Sequence, residues 1–314
     1  MISVAERAGA VLEPRRLRAG SQEISLDRPI IVGILNVTPD SFTDGGNFFS
    51  PAKAVAHARH LVSDGADIID VGGESTRPGA FPVETEEEVR RVVPIILAMR
   101  ERWADLPISV DTNKAEVAEA ALHVGATMVN DVSALRLDPL MARVIAKNDC
   151  GVVLMHSRGR INEMATYEHA NYGADPVGEI VDEIGARAKF AESVGVARDR
   201  IVLDPGLGFS KRSEHSRAIL RGLDSLIALG YPVMVGPSRK RFIREAMAEG
   251  LAAAKGSDEP VEVEEFSVAE RDAGTIGASI VALTRGAMLF RVHDVRNHRH
   301  ALDAAWSILC GHNS

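Results

Sequence analysis

Apolar residues along this chain gather into eight short runs, at 29–37, 65–72, 108–112, 127–131, 151–156, 201–206, 232–236 and 287–292. None shows a helical period, and short continuous apolar runs predict strands buried on both faces. The stretches between them carry helical spacing instead. Val55, Ala58 and Val62 form one stripe, after Ser50-Pro51, a capping serine with proline at the first helical position. Val89, Val92, Val93 and Ile96 form another, after Thr85-Glu86-Glu87-Glu88, which reads as a capping box. Further helices are expected over about 113–124, 139–147, from the end of a polar 157–173 segment to about 194, 213–229 and 268–283, with a closing helix that contains Trp306. The acidic, Ala- and Gly-rich 249–265 stretch reads as a solvated insertion.

Eight strand–helix units in strict alternation imply a parallel sheet, and eight suggest closure. The expected fold is therefore α/β, a single (β/α)8 TIM barrel over 29–314. A short N-terminal extension over 1–28 is expected to be hairpin-like, with Val11-Leu12 and Ile24-Ser25-Leu26 around Ala19-Gly20, and to cover the barrel floor. A doubly wound open sheet is the alternative, though no GxGxxG follows the first strand.

Composition narrows the function. At 314 residues and 46% hydrophobic content the chain can build one large barrel. A net charge of −8 argues against a nucleic-acid partner. Cys150 and Cys310 have no metal-site spacing and read as inert thiols in a reducing compartment. No apolar run reaches membrane-spanning length and no signal-peptide pattern opens the chain, so a soluble, cytoplasmic protein with no membrane partner is expected.

The barrel changes how polar residues weigh, because active sites of such barrels lie at the carboxyl ends of the strands. In strand order those ends carry Asn36, Thr76 with Arg77, Asp111, Asn130, His156, Asp204, Lys240, and Arg291 with His293. Each has a bland alternative. Asp111 can cap the next helix, Asn130 can be a satisfied buried amide, Arg291 and His293 can pair with Asp294, and His156 reads as structural. A shared pocket explains them together. Asp111, Asn130 and Asp204 offer acceptors from separate strands, and a buried carboxylate wants a partner with donors. A heterocycle with an amino group beside a ring N–H, such as guanine or a pterin, supplies them. Lys240 can meet a ring carbonyl and Arg291 can stack on a flat ring. The loop of 72–79 has close-approach glycines, hydroxyls and an arginine, which suit an anion. With Asn36 and His293 it suits a phosphate group and a divalent ion. Asn36 offers one hard oxygen, which fits Mg²⁺ that keeps waters and substrate phosphates.

Five motifs resemble those of dihydropteroate synthases: Asn36-Val37-Thr38-Pro39-Asp40-Ser41-Phe42, Asp70-Val71-Gly72-Gly73-Glu74-Ser75-Thr76-Arg77-Pro78-Gly79, Asp204-Pro205-Gly206-Leu207-Gly208-Phe209, Ser238-Arg239-Lys240 and Arg291-Val292-His293-Asp294-Val295. The resemblance implies a (β/α)8 fold, usually a homodimer, acting in folate synthesis. It implies a reaction that joins a dihydropterin methyl diphosphate to 4-aminobenzoate and releases diphosphate. It makes Asn36 the Mg²⁺ ligand. It gives the pterin diphosphate to Thr76, Asp111, Asn130, Asp204, Lys240, Arg291 and His293, and the aminobenzoate to Arg77, Pro78, Phe209 and Ser238. Asp44 is expected to reach the metal or the incoming amine, so that Lys240, Arg291, His293 and Asp44 form the expected catalytic set. Two rivals remain. A pterin-binding methyltransferase domain should lack the Ser75-to-Gly79 and Ser238-Arg239-Lys240 sets, and a degenerate paralogue would bind pterin without turnover.

Overall fold

A computed structural model describes residues 16–38, 51–75, 81–256 and 266–310. Two antiparallel strands, β1 (Arg16–Ala19) and β2 (Gln22–Ser25), make the N-terminal hairpin. Its first strand is Arg16–Ala19, whereas the expected Val11-Leu12 lies outside the described residues. The hairpin does cover the floor. Arg200, in the turn before β8 (Ile201–Asp204), donates to the carbonyls of Gly20, at 3.0 Å, and of Asp149.

The other strands are β3 (Ile30–Asn36), β4 (Ile68–Gly72), β5 (Ile108–Asp111), β6 (Met128–Asp131), β7 (Gly151–Met155), β9 (Met234–Val235) and β10 (Leu289–Val292). With β8 they form one parallel sheet in the order β8-β7-β6-β5-β4-β3-β10-β9. A parallel bridge between Leu203 and Val233 joins its two ends, and Leu203 N donates to Pro232 O at 2.9 Å. That bridge closes the barrel and removes the open-sheet alternative. The strands are buried almost throughout, because helices wall one face and the other strands fill the second.

Among the described residues ten α-helices follow the strands: α1 (Pro51–Ser63), α2 (Thr85–Arg102), α3 (Ala115–His123), α4 (Met141–Asn148), α5 (Pro176–Ser193), α6 (Ser213–Arg221), α7 (Leu223–Ile227), α8 (Arg241–Lys255), α9 (Val268–Thr284) and α10 (Val295–Cys310). Three expectations need correction. The expected 213–229 helix is two pieces, broken at Gly222. The start of the expected 249–265 insertion is helix instead, since α8 runs to Lys255, with Glu249 paired to Arg217; residues 257–265 lie outside the described ones. The Thr85–Glu88 capping box does not form. Glu84 is the N-cap, without a side-chain cap bond, and Glu88 turns inward to full burial. Both cysteines are free, and burial pushes the Cys150 thiol up to about 12, as suits an inert thiol. Among the described residues no helix is long and apolar enough to cross a membrane.

Candidate active site

Strand register builds the site before any side chain does. Asn36 pairs with Gly72, Gly72 with Asp111, and Asp111 with Asn130. One row across β3 to β6, at the carboxyl end, thus carries an amide, a glycine, a carboxylate and a second amide. Across the barrel, β10 brings Arg291.

Arg291 clamps two carboxylates with its planar fork. Its Nε donates to Asp70 Oδ2 at 2.6 Å and its Nη2 to Asp111 Oδ2 at 2.5 Å. Asn130 Nδ2 adds a third bond, to Asp70 Oδ2 at 3.0 Å. Asp111 therefore does not cap α3, whose N-cap is Lys114. Nor does Asp294 hold Arg291; its carboxylate takes Asn297 Nδ2 at 2.7 Å. Asn130 is only half satisfied: Asn130 Oδ1, Asp70 Oδ1 and Ser109 Oγ have no hydrogen-bond partner among the described residues, and their residues line an internal cavity of about 10 Å³ on the barrel axis.

Asp204 ends β8. Its Oδ1 accepts from Gly206 N at 2.7 Å, and its Oδ2 and the Cβ of Arg291 each lie 3.9 Å from where a side chain on Gly236 would begin. Gly206 has a φ of +66°, and a Cβ there would sit 2.0 Å from the His156 carbonyl, so only glycine turns the chain here. Lys240 Nζ lies 3.6 Å from the Phe209 ring centroid, in cation–π range. Ser238 Oγ meets His293 Nδ1 at 2.8 Å.

Burial dominates the electrostatics. It pushes Asp111 up to about 7 against the pull of Arg291, and Asp204 up to about 6 against Gly206 N–H, Arg291 and Lys240. It draws Lys240 down to about 7, with Arg291 adding to the effect. The pocket therefore holds acceptors and a donor whose charges water does not stabilise.

The structure brings together Asn36, Asp111, Asn130, Asp204, Phe209, Ser238, Lys240, Arg291 and His293 at one end of the barrel. Asp44, Thr76, Arg77 and Pro78 lie outside the described residues. Sequence reasoning missed Asp70, the buried hub of the clamp. Its signal was a lone carboxylate inside the apolar run Ile68-Ile69-Asp70-Val71, where a charge must find a partner. It also missed the anchor of the following loop. Lys114 Nζ donates to Glu88 at 2.5 Å, to Glu74 at 3.1 Å and to the Val83 carbonyl at 2.7 Å, while Glu74 accepts from Val83 N at 2.7 Å.

The chain matches the family described as pterin binding enzyme over residues 32–293. Dihydropteroate synthase of Synechocystis sp. is 43% identical over 268 residues, which cover 85% of this chain and 86% of that protein. The chain belongs to the dihydropteroate synthase family. A solved dihydropteroate synthase of Xanthomonas albilineans with 4-aminobenzoic acid superposes with a TM-score of 0.80 at 40% identity, covering 94% of this chain and 98% of its own. The same bacterium's enzyme in complex with 7,8-dihydropteroate gives 0.77 at 38% identity, covering 93% and 98%. The family match contains every site residue from Asn36 to His293.

Proposed function

We propose that this chain joins (7,8-dihydropterin-6-yl)methyl diphosphate to 4-aminobenzoate, yielding 7,8-dihydropteroate and diphosphate in folate synthesis. The observation that carries this reading is the acceptor floor: Asp70 and Asp111 clamped by Arg291, with Asn130, Asp204 and Lys240 around them. A pterin's amino group and adjacent ring N–H meet Asp204, and donors on the ring stabilise carboxylates that burial alone disfavours. Lys240 meets the ring's acceptor side. Arg291, fixed in plane by two carboxylates, offers a flat face for stacking. His293 and Ser238 lie where the diphosphate and the arylamine approach each other.

The step is dissociative. The C–O bond to diphosphate breaks first and its electron pair leaves with the diphosphate. The ring delocalises the cation that remains. The amine nitrogen then forms the C–N bond and sheds a proton. Arg291 and His293 stabilise the departing charge. A neutral arylamine needs positioning more than activation, and Phe209 with Ser238 supplies part of that wall.

Asn36 suits Mg²⁺. It is half-buried at the carboxyl end of β3, in register with Gly72, where its side chain offers one hard oxygen. The nearby carboxylates Asp70 and Asp111 each give one oxygen to Arg291. A single neutral oxygen fits an ion held chiefly by substrate phosphates and waters. Mg²⁺ supplies charge neutralisation at the diphosphate when bound. The family resemblance also supports a homodimer working in the cytoplasm, the former testable by sedimentation.

The test is a turnover assay with pterin diphosphate, 4-aminobenzoate and Mg²⁺. Formation of 7,8-dihydropteroate and diphosphate in equal amounts is expected. Pterin binding without product would leave a degenerate paralogue, and methyl transfer to or from a pterin would leave the methyltransferase reading.

A further inference from the structure

The loop between β8 and α6 carries Phe209, and its mounting lies below the site already described. Lys211 is 1% exposed, yet it is a lysine. Its Nζ reaches three acceptors: the Phe209 carbonyl at 2.9 Å, the His156 carbonyl at 3.2 Å and His156 Nδ1 at 2.8 Å. Burial draws Lys211 down to about 7, so its charge alone does not fix the tautomer. Glu183 does, because its carboxylate, held at about 2 by the His156 and Arg158 contacts, only accepts; Nε2 must carry the hydrogen while Nδ1 keeps the lone pair that Lys211 meets. His156 is then the Nε2–H tautomer, and Nε2–H donates to Glu183 of α5 at 3.0 Å. Burial and the Lys211 charge draw His156 down to about 4, which keeps the ring neutral.

A second set of contacts pins the next residue. Ser210 has a φ of +49°, unusual for a side chain. Its N donates to Met164 O at 2.5 Å, and its Oγ accepts from Arg158 N at 3.0 Å and donates to Arg158 O at 2.7 Å. Its carbonyl accepts from Tyr172 Oη at 3.0 Å, and the Arg158 guanidinium stacks 4.1 Å above the Tyr172 ring and pairs with Glu179 and Glu183. The backbone beside Phe209 is thus held from the 157–173 segment and α5, while its ring is left to meet Lys240.

We propose that Lys211 and His156, seated on Glu183, are positioning residues for Phe209, and that the 157–173 segment is the outer half of this mounting. They set affinity for the arylamine and leave pterin recognition alone. This rests on Phe209 framing 4-aminobenzoate, as in the function proposed above. Lys211→Met keeps the stem and removes every donor. With pterin diphosphate saturating, KM for 4-aminobenzoate should rise about tenfold or more, while the Kd of pterin diphosphate stays within about twofold. His156→Phe should do the same. His156→Asn, whose amide oxygen can stand in for Nδ1, should recover most of the loss.

A merely structural role would lower thermal stability and weaken both substrates together, and that pattern overturns the proposal. So does a wild-type arylamine KM in Lys211→Met, or His156→Asn behaving as His156→Phe. Where Lys211→Met fails to fold, the His156 pair decides. Nitrogen-15 spectra of the histidine-labelled wild-type protein test the mounting without activity. His156 should be the Nε2–H tautomer from about pH 6 to about pH 8, and an Nδ1–H ring or an imidazolium overturns it. An intact tautomer in a protein that makes no dihydropteroate would sink the functional reading instead.

Discussion

Asp204→Asn replaces one oxygen of the pocket floor with an NH2 and keeps the shape. The amide oxygen can still accept from Gly206 N, a bond of 2.7 Å, so the turn that leads to Phe209 survives. The other oxygen is the one that a pterin's amino and ring N–H groups would meet, and a donor now faces donors. Two charge-assisted hydrogen bonds at about 1.5–3 kcal/mol each amount to roughly 3–6 kcal/mol, or about 10²–10⁴ in affinity. Stability moves the other way. The folded carboxyl, pushed up to about 6 from 3.8, binds its proton more tightly than the unfolded one. Ionising it therefore costs stability as pH rises from about 4 to about 6, on the order of 3 kcal/mol by neutrality. The amide carries no such cost. Calorimetry with pterin diphosphate and Mg²⁺ should show the affinity loss. Thermal unfolding should show a Tm equal to or above wild type at neutral pH, the two proteins converging towards pH 4. Near-wild-type affinity would remove Asp204 from the pterin site. A variant clearly less stable at neutral pH would refute the burial cost.

Three further outcomes are expected. If the glycine-ended loops complete the arylamine site over bound diphosphate, 4-aminobenzoate should bind poorly to the free protein, and sulfonamides should compete only with diphosphate in place; equal affinity with and without diphosphate counts decisively against this. Pterin diphosphate labelled with an oxygen isotope at the bridging position should scramble its label when a non-nucleophilic aminobenzoate analogue holds the site closed, and Asn36→Ala should slow that scrambling. A label that stays put while the natural amine reacts points to concerted displacement, with Asp44 to be examined as base. Lys114→Met leaves Glu88 fully buried without its 2.5 Å partner, which should cost about 3–5 kcal/mol by chemical denaturation; a loss under about 1 kcal/mol would mean that Glu88 relaxes to another partner.

Much of this molecule is legible in one dimension. Strands buried on both faces must be apolar throughout, so the run of 29–37 and its seven successors announce a parallel barrel, and the polar residue ending each run announces the site. Strand register does set Asn36, Asp111 and Asn130 in one row at the carboxyl end, with Asp204 and Arg291 at the ends of their own strands, and the long motifs named the family. Helix boundaries were less legible. Thr85 to Glu88 spells a capping box, but the same spacing suits a glutamate turned inward towards Lys114, and only packing chooses between them. The break at Gly222 and the run of α8 through Lys255 depend likewise on what each face meets. What the sequence could not show is who pairs with whom. Asp70 and Arg291 stand 221 residues apart, and Lys211 and His156 stand 55 apart. Periodicity reports whether a position is buried, which neighbours along the chain decide. The partner of a buried charge is set by which strands closure brings face to face, and that is decided only in three dimensions.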